Sequence, residues 1–190
     1  MPSPSPLARL TRMLVESYVV FARYNAWMND KIYTLAAELT DEERKRDLRA
    51  FFRSVHGTLN HLLLGDRAWL TRFTGETERF ASYDGERKPI AVRSLAQELY
   101  ADFEQLWRER RRTDADIAGW VETLDEAALS RTLSYKTSSG VACSHPTWWA
   151  ISHFFNHQTH HRGQVTTLLK QLGKDPGVTD LIAFMRTSGT

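Results

Sequence analysis

From Ala8 to Leu39 the chain contains neither glycine nor proline, and this uninterrupted run limits the possible folds more than any other feature. Within it Leu10, Leu14, Val15, Phe21, Tyr24, Trp27, Met28, Ile32 and Leu35 recur at offsets of three and four. That spacing collects apolar side chains on one face of a helix. A long helix with an apolar stripe is stabilised mainly by packing, so it needs partners. "LTDEE" ends the run, and Thr40 and Glu43 have the capping-box spacing that predicts a short helix to follow.

The rest of the chain supplies those partners. A second long helix is expected over about 52–74, and Gly75 opens a loop through Arg93. Ser94 and Gln97 repeat the capping-box spacing and predict a third long helix to about Glu122. The "RERRR" run at 108–112 on that helix predicts a solvated, salt-bridged face. Alternating residues around Ser-Ser-Gly in "RTLSYKTSSGVACSHP" predict a β-hairpin. A fourth long helix follows Pro146 and runs to about Leu172, with Gly173 placed to end it. "DPGVTDLIAFMR" predicts one short terminal helix. The expected class is all-α, a four-helix bundle with a small β-hairpin before the fourth long helix. It is expected as one domain over 8–190, behind a disordered Pro/Ser arm at 1–7.

With 190 residues, 42% of them hydrophobic, the chain can bury a core without disulfides. Its single Cys143 can form none internally, which fits a reducing compartment. A net charge of +2 gives no ground for a nucleic-acid partner. Arg12, Glu16 and Arg23 interrupt the first apolar segment, which resembles neither a signal peptide nor a membrane span. A cytoplasmic protein with neither a nucleic-acid nor a membrane partner is expected.

The chemistry is concentrated in "SHFFNHQTHHRGQV", residues 152–165, which hold four of the seven histidines. Ala150, Phe154, His157, His161, Val165, Leu168 and Leu172 follow steps of three and four along one face. His157 and His161 thus occupy positions where leucine is expected, one helical turn apart. His153 and His160 fall on a more polar flank with Asn156, Gln164 and Thr167. Neighbouring imidazoles on a buried stripe are costly unless their ring nitrogens find partners, and a divalent metal supplies one. The alternative is a pair of core histidines bonded only to protein.

The pattern lacks two better-known arrangements. A zincin has Glu directly after its first histidine, where this chain has Gln158. Bundle di-iron sites need Glu three residues ahead of a histidine, and no histidine here has one. For a third ligand the residues leave His56, His61 and His145 open. His61 lies mid-helix on a side carrying Ser54, Gly57, Thr58, Gly65 and Ala68, whose small size leaves room for its ring. His56 lies far round that helix, suited to packing or surface roles, and His145 sits at the hairpin exit.

"YNAWMNDKIYTLAAELTDEE", "SVHGTLNHLLLGDRAWLTR", "NHQTHHRGQV" and "LGKDPGVTDLIAFM", in that order, resemble the DinB family of the DinB/YfiT-like superfamily over nearly the whole chain. The resemblance implies a four-helix bundle, commonly a homodimer, with one divalent metal held by three histidines. Motif for motif these are His61, His157 and His161, while His160 matches a frequent family histidine that is not usually a ligand. It further implies a metal-dependent enzyme acting on a small molecule with a low-molecular-weight thiol such as bacillithiol or mycothiol. Zinc or nickel is the expected ion, and iron or copper also suits imidazole. The leading expectation is thiol transfer to an electrophile. Hydrolysis, or metal and ligand binding by a non-catalytic dimer, are the alternatives. Arg162, about 100° from His161 around the helix, is expected at the surface or a dimer contact, and Gly163 at a close helix approach. Asn156, Gln164 and the 75–93 loop are candidates for orienting or covering the site.

Overall fold

The computed structural model describes residues 6–137 and 139–187. Four long helices dominate: α1 (Pro6–Ala37), α3 (Val55–Thr74), α5 (Phe103–Val121) and α7 (Thr147–Gln171). Shorter elements lie between and after them: α2 (Asp41–Lys45), α4 (Thr77–Phe80), α6 (Glu126–Ser130), β1 (Thr132–Lys136), β2 (Ala142–Pro146) and α8 (Leu181–Thr187). The arm expected over 1–7 falls largely outside the described residues, and α1 is already helical at Pro6.

The local signals explain most boundaries. Thr40 Oγ1 accepts from the Glu43 amide, and the Glu43 carboxylate accepts from the Thr40 amide, completing the capping box that starts α2. Ser54 caps α3 by accepting from the Gly57 amide. At the end of α7, Gly173 takes φ 77°, and the Lys174 amide turns back to the Leu169 carbonyl. A side chain at Gly173 would strain that left-handed turn. β1 and β2 pair antiparallel, with Thr132 opposite Pro146 and Lys136 opposite Ala142.

One boundary differs from expectation. Ser94 and Gln97 start no helix; Gln97 Oε1 instead accepts from the Arg93 amide, and α5 begins at Phe103 behind an Asp102 cap. The cause lies in α3, where buried Asn60 Oδ1 accepts from the amides of Leu99 and Tyr100. His56 Nε2 bonds the Tyr100 carbonyl, so His56 has the packing role foreseen for it. These bonds hold 99–100 in an irregular conformation against the core. The connection from Gly75 therefore runs nine residues beyond Arg93, to Asp102, and contains the short α4.

Around the bundle, α1 packs on α5 and α7, and α3 packs on α7 and α5. Hence α3 and α7, which carry the histidines, are neighbours. The interior has two apolar ends. Ile32, Leu59, Leu63, Leu106 and Leu169 belong to one; Ala22, Leu70, Ile117, Ile151 and Phe154 belong to the other. Each fully buried large aliphatic side chain contributes about 1.5–3 kcal/mol. Between the two ends lies a buried polar layer of Asn25, Asn29, Asp66, Arg110, Asp114, Gln158 and Arg162.

This layer corrects two expectations. Arg110 is 1% exposed although "RERRR" reads as a solvated face, because it pairs inward with Asp66 and Asp114. Arg162 is 3% exposed and is not a surface residue. A 100° turn from His161 aims it at α1, since α7 is covered on that side too; there it donates to Asn25 and lies over the Tyr24 ring. Gly163 makes no close helix approach: a Cβ built on it meets nothing within 4 Å. It borders a cavity of about 500 Å³ between α1, α7 and the segment leading into α8.

Candidate metal centre

His61 of α3 faces His157 and His161 of α7. His61 Nε2 lies 3.1 Å from His157 Nε2 and 3.2 Å from His161 Nε2. The three side chains can present one nitrogen each, all within 4.8 Å of one another. The cluster holds the three histidines singled out from the sequence. His56 is bonded elsewhere, and His145 Nε2 lies against the Tyr135 hydroxyl in the hairpin. His153 and His160 are exposed, as their flank position predicts.

A glycine makes the approach possible. Gly65 lies one turn beyond His61 on α3, and a Cβ built there would come within 3.0 Å of His157 Cε1. Any larger side chain would press on the imidazole. On the other side Phe52 stacks on His61, ring centroids 3.8 Å apart, and shields it from water.

The protons on the rings can be assigned from their outer contacts. His61 Nδ1 is 2.8 Å from the Leu95 carbonyl, which can only accept, so Nδ1 carries the hydrogen. His161 Nδ1 is 2.7 Å from Gln164 Oε1, while the amide nitrogen of Gln164 faces His160 Nε2. That orientation makes His161 Nδ1 a donor as well. Both neutral rings therefore turn bare Nε2 lone pairs toward one another. His157 Nδ1 is buried without a partner. A proton on His157 Nε2 can satisfy one short contact, but it leaves another pair of acceptors facing each other. A shared cation would satisfy all three Nε2 atoms at once.

Electrostatics favour the same protonation state. Burial depresses the His61 pKa to about 4, with the Leu95 carbonyl opposing and His161 reinforcing the shift. Burial, then His161 and His61, depress that of His157 to about 3. Burial also lowers that of His161, against the hydrogen bond to Gln164. Near neutral pH all three rings are unprotonated, as metal ligation requires. The two His61 spacings, 3.1 and 3.2 Å, fit as well: metal–nitrogen bonds of about 2.0–2.1 Å put ligand nitrogens about 2.8–3.4 Å apart for right-angle to tetrahedral geometry.

The cluster opens on a recess of about 720 Å³, lined also by Phe51, Phe52 and Ala96. A second, of about 250 Å³, lies on the hairpin side of His61 and His157. Among the described residues neither recess is lined by Asp or Glu. Gln164 was a foreseeable orienting residue, whereas Leu95 was not, because every residue carries a carbonyl and only the fold brings this one to a histidine. Phe52 and Gly65 likewise acquire their roles through proximity. Asn156, also considered for the site, lines the cavity on the other side of α7.

Comparison with known proteins follows the same lines. The family model described as "DinB family" matches residues 13–189. "Protein DinB" of Bacillus subtilis (strain 168) is 27% identical over 164 residues, covering 85% of this chain and 91% of that protein. Among solved structures, YfiT from Bacillus subtilis superposes with a TM-score of 0.56 at 14% identity, covering 92% of this chain and 93% of that one. YfiT is described as a probable metal-dependent hydrolase with an unusual four-helix bundle topology.

Proposed function

The chain belongs to the DinB family, and on that premise we propose that it is a metal-dependent enzyme whose single divalent ion is held by His61, His157 and His161. The observation that carries this reading is the facing of bare Nε2 atoms, with outer hydrogen bonds holding the protons of His61 and His161 on Nδ1. Three neutral nitrogens suit zinc or nickel and leave at least one coordination position for a reactant. Bound there, such an ion supplies positive charge that lowers the pKa of a thiol or a water molecule.

The side chains around the cluster favour thiol transfer to an electrophilic small molecule. Among the described residues no carboxylate lines either recess to serve as general base, and a thiol acidified by a cation needs none. The sulfur forms a bond to the electrophilic carbon as the leaving group departs with its electron pair, and the thiol proton passes to solvent. Leu95 and Gln164 hold the rings in register, and Phe52 limits water at His61. Hydrolysis is the second reading, supported by the description of YfiT. In that case His153 or His160, both at the rim, is the available base.

Metal analysis of protein prepared without a histidine tag tests the site. About one equivalent of divalent ion is expected in the parent, falling at least tenfold in His157→Ala. Unchanged metal content in that variant overturns the assignment. Metal-dependent turnover of an aryl halide with a small thiol, compared with ester hydrolysis lacking thiol, separates the two reactions.

A further inference from the structure

The recess of about 250 Å³ beside His61 and His157 reaches Arg72 at its other end. Arg72 stands out among the arginines withdrawn from solvent. Arg44, Arg67, Arg110 and Arg162 each donate to a protein oxygen. Arg72 makes no hydrogen bond or ion pair among the described residues. Its guanidinium instead lies 4.6 Å from the Trp69 ring centroid and 4.8 Å from that of Tyr135. Burial lowers its pKa, as expected where a cation leaves water without a carboxylate beside it.

The two aromatic rings position the guanidinium without using its N–H donors. A planar fork with free donors, in a recess that contains no carboxylate of its own, matches an incoming carboxylate. The distance to the triad limits the ligand. Gly65 lies against the His157 ring, and Arg72 is seven residues farther along α3, about 10 Å at 1.5 Å per residue. Helical side chains lean toward the N-terminus, which brings the guanidinium back toward the histidines.

We propose that this recess binds the carboxylate end of the small molecule whose reactive end lies at the triad, and that Arg72 selects for that charge. The inference rests on the metal-binding reading above. The ligand class is a compact molecule with a metal-seeking or reactive head and an anionic tail separated by a short chain.

The test uses protein loaded with cobalt(II), whose absorption reports thiolate binding. Acids from mercaptoacetate to 6-mercaptohexanoate are each titrated against the mercapto-alcohol of equal length. At the best-fitting length the acid is expected to bind roughly tenfold tighter than its alcohol. In Arg72→Met, which keeps an apolar stem between the two rings, that advantage falls below about twofold, and Arg72→Lys retains part of it. Alcohol affinity stays within about twofold in all three proteins, which separates charge selection from damage to the site. Failure to take up cobalt overturns the metal reading and this inference with it. Cobalt uptake with equal affinity for acid and alcohol at every length overturns the carboxylate assignment alone, as does an acid preference that survives Arg72→Met. The parent protein's acid–alcohol comparison decides the matter even if a variant fails to fold.

Discussion

Two polar clusters share the middle of this bundle, and they differ in how their needs are met. In the inner one Arg110 is paired with Asp66 and Asp114, Asn25 and Asn29 bond Asp114, and Arg162 donates to Asn25. Its charges have protein partners. In the outer one three neutral imidazoles point nitrogens at one another, and one ring also has an unpartnered buried Nδ1. Both clusters draw on α3 and α7, from different faces of the helices. The difference teaches that buried polarity can serve structure or function. A cluster whose charges are paired within the protein fixes how the helices pack, although Asp66 Oδ1, Arg110 Nε and the Gln158 amide lack hydrogen-bond partners. One of neutral rings facing one another is prepared for a cation.

The comparison is broken most severely by removing a partner from the inner cluster. Asp66→Ala removes one of the two carboxylates paired with buried Arg110 and leaves the layer with an excess positive charge. It is expected to destabilise the protein by about 3–5 kcal/mol, read from urea unfolding. Where the variant is folded, its metal content should match the parent's. A loss below about 1 kcal/mol would show that the layer is not a packing element.

The outer cluster should reveal itself through pH in chelator-treated protein. The pKa values of His61 and His157 lie at about 4 and 3 when folded, below the ordinary 6.5. As acidity rises, the unfolded chain takes up protons that the folded state refuses. The stability contribution is therefore full above about pH 6.5 and is lost as pH falls toward 4 and then 3. His157→Leu should flatten this decline in urea midpoints measured from pH 8 to pH 4.5. An equally steep decline in the variant would place the protonating groups elsewhere.

The smallest effect sharpens the contrast within one residue. Gly65→Ala replaces a helical glycine and should gain up to about 1 kcal/mol in helix propensity. The added methyl presses on His157 Cε1, so metal affinity should fall by roughly tenfold. Competition with a chelating dye measures the second quantity and thermal unfolding of metal-free protein the first. Unchanged affinity would mean that the ring can yield without leaving its position.

Much of the fold was legible because it is written in local signals. The glycine- and proline-free run of α1, the Thr40–Glu43 box and Gly173 act within a few residues, and each appears as expected. The face of α1 that is buried, however, runs through Tyr18, Ala22, Asn25, Asn29 and Ala36, and Leu10 of the expected stripe is exposed. The same kind of signal misled at Ser94 and Gln97, where Asn60 of another helix captures the backbone at 99–100. Arg110 and Arg162 misled for a related reason. Charge in a sequence suggests solvent, and the partners that help make burial tolerable include ones distant in the chain, Asp66 for Arg110 and Asn25 for Arg162. Among the described residues no helix is long and apolar enough to cross a membrane, in line with the interrupted apolar segments.

The histidines divide in the same way. The chain alone determined that His157 and His161 share an inward face, since helical periodicity fixes the direction of every side chain in a continuous segment. It also carried the motifs of the family to which the protein belongs. Tertiary structure alone decided which nitrogens face one another, that the Leu95 carbonyl orients His61, that Gly65 admits the His157 ring, and that Arg72 has no oxygen partner among the described residues. These depend on distances between residues remote in sequence, and such distances are set by packing and backbone capture that no local pattern encodes.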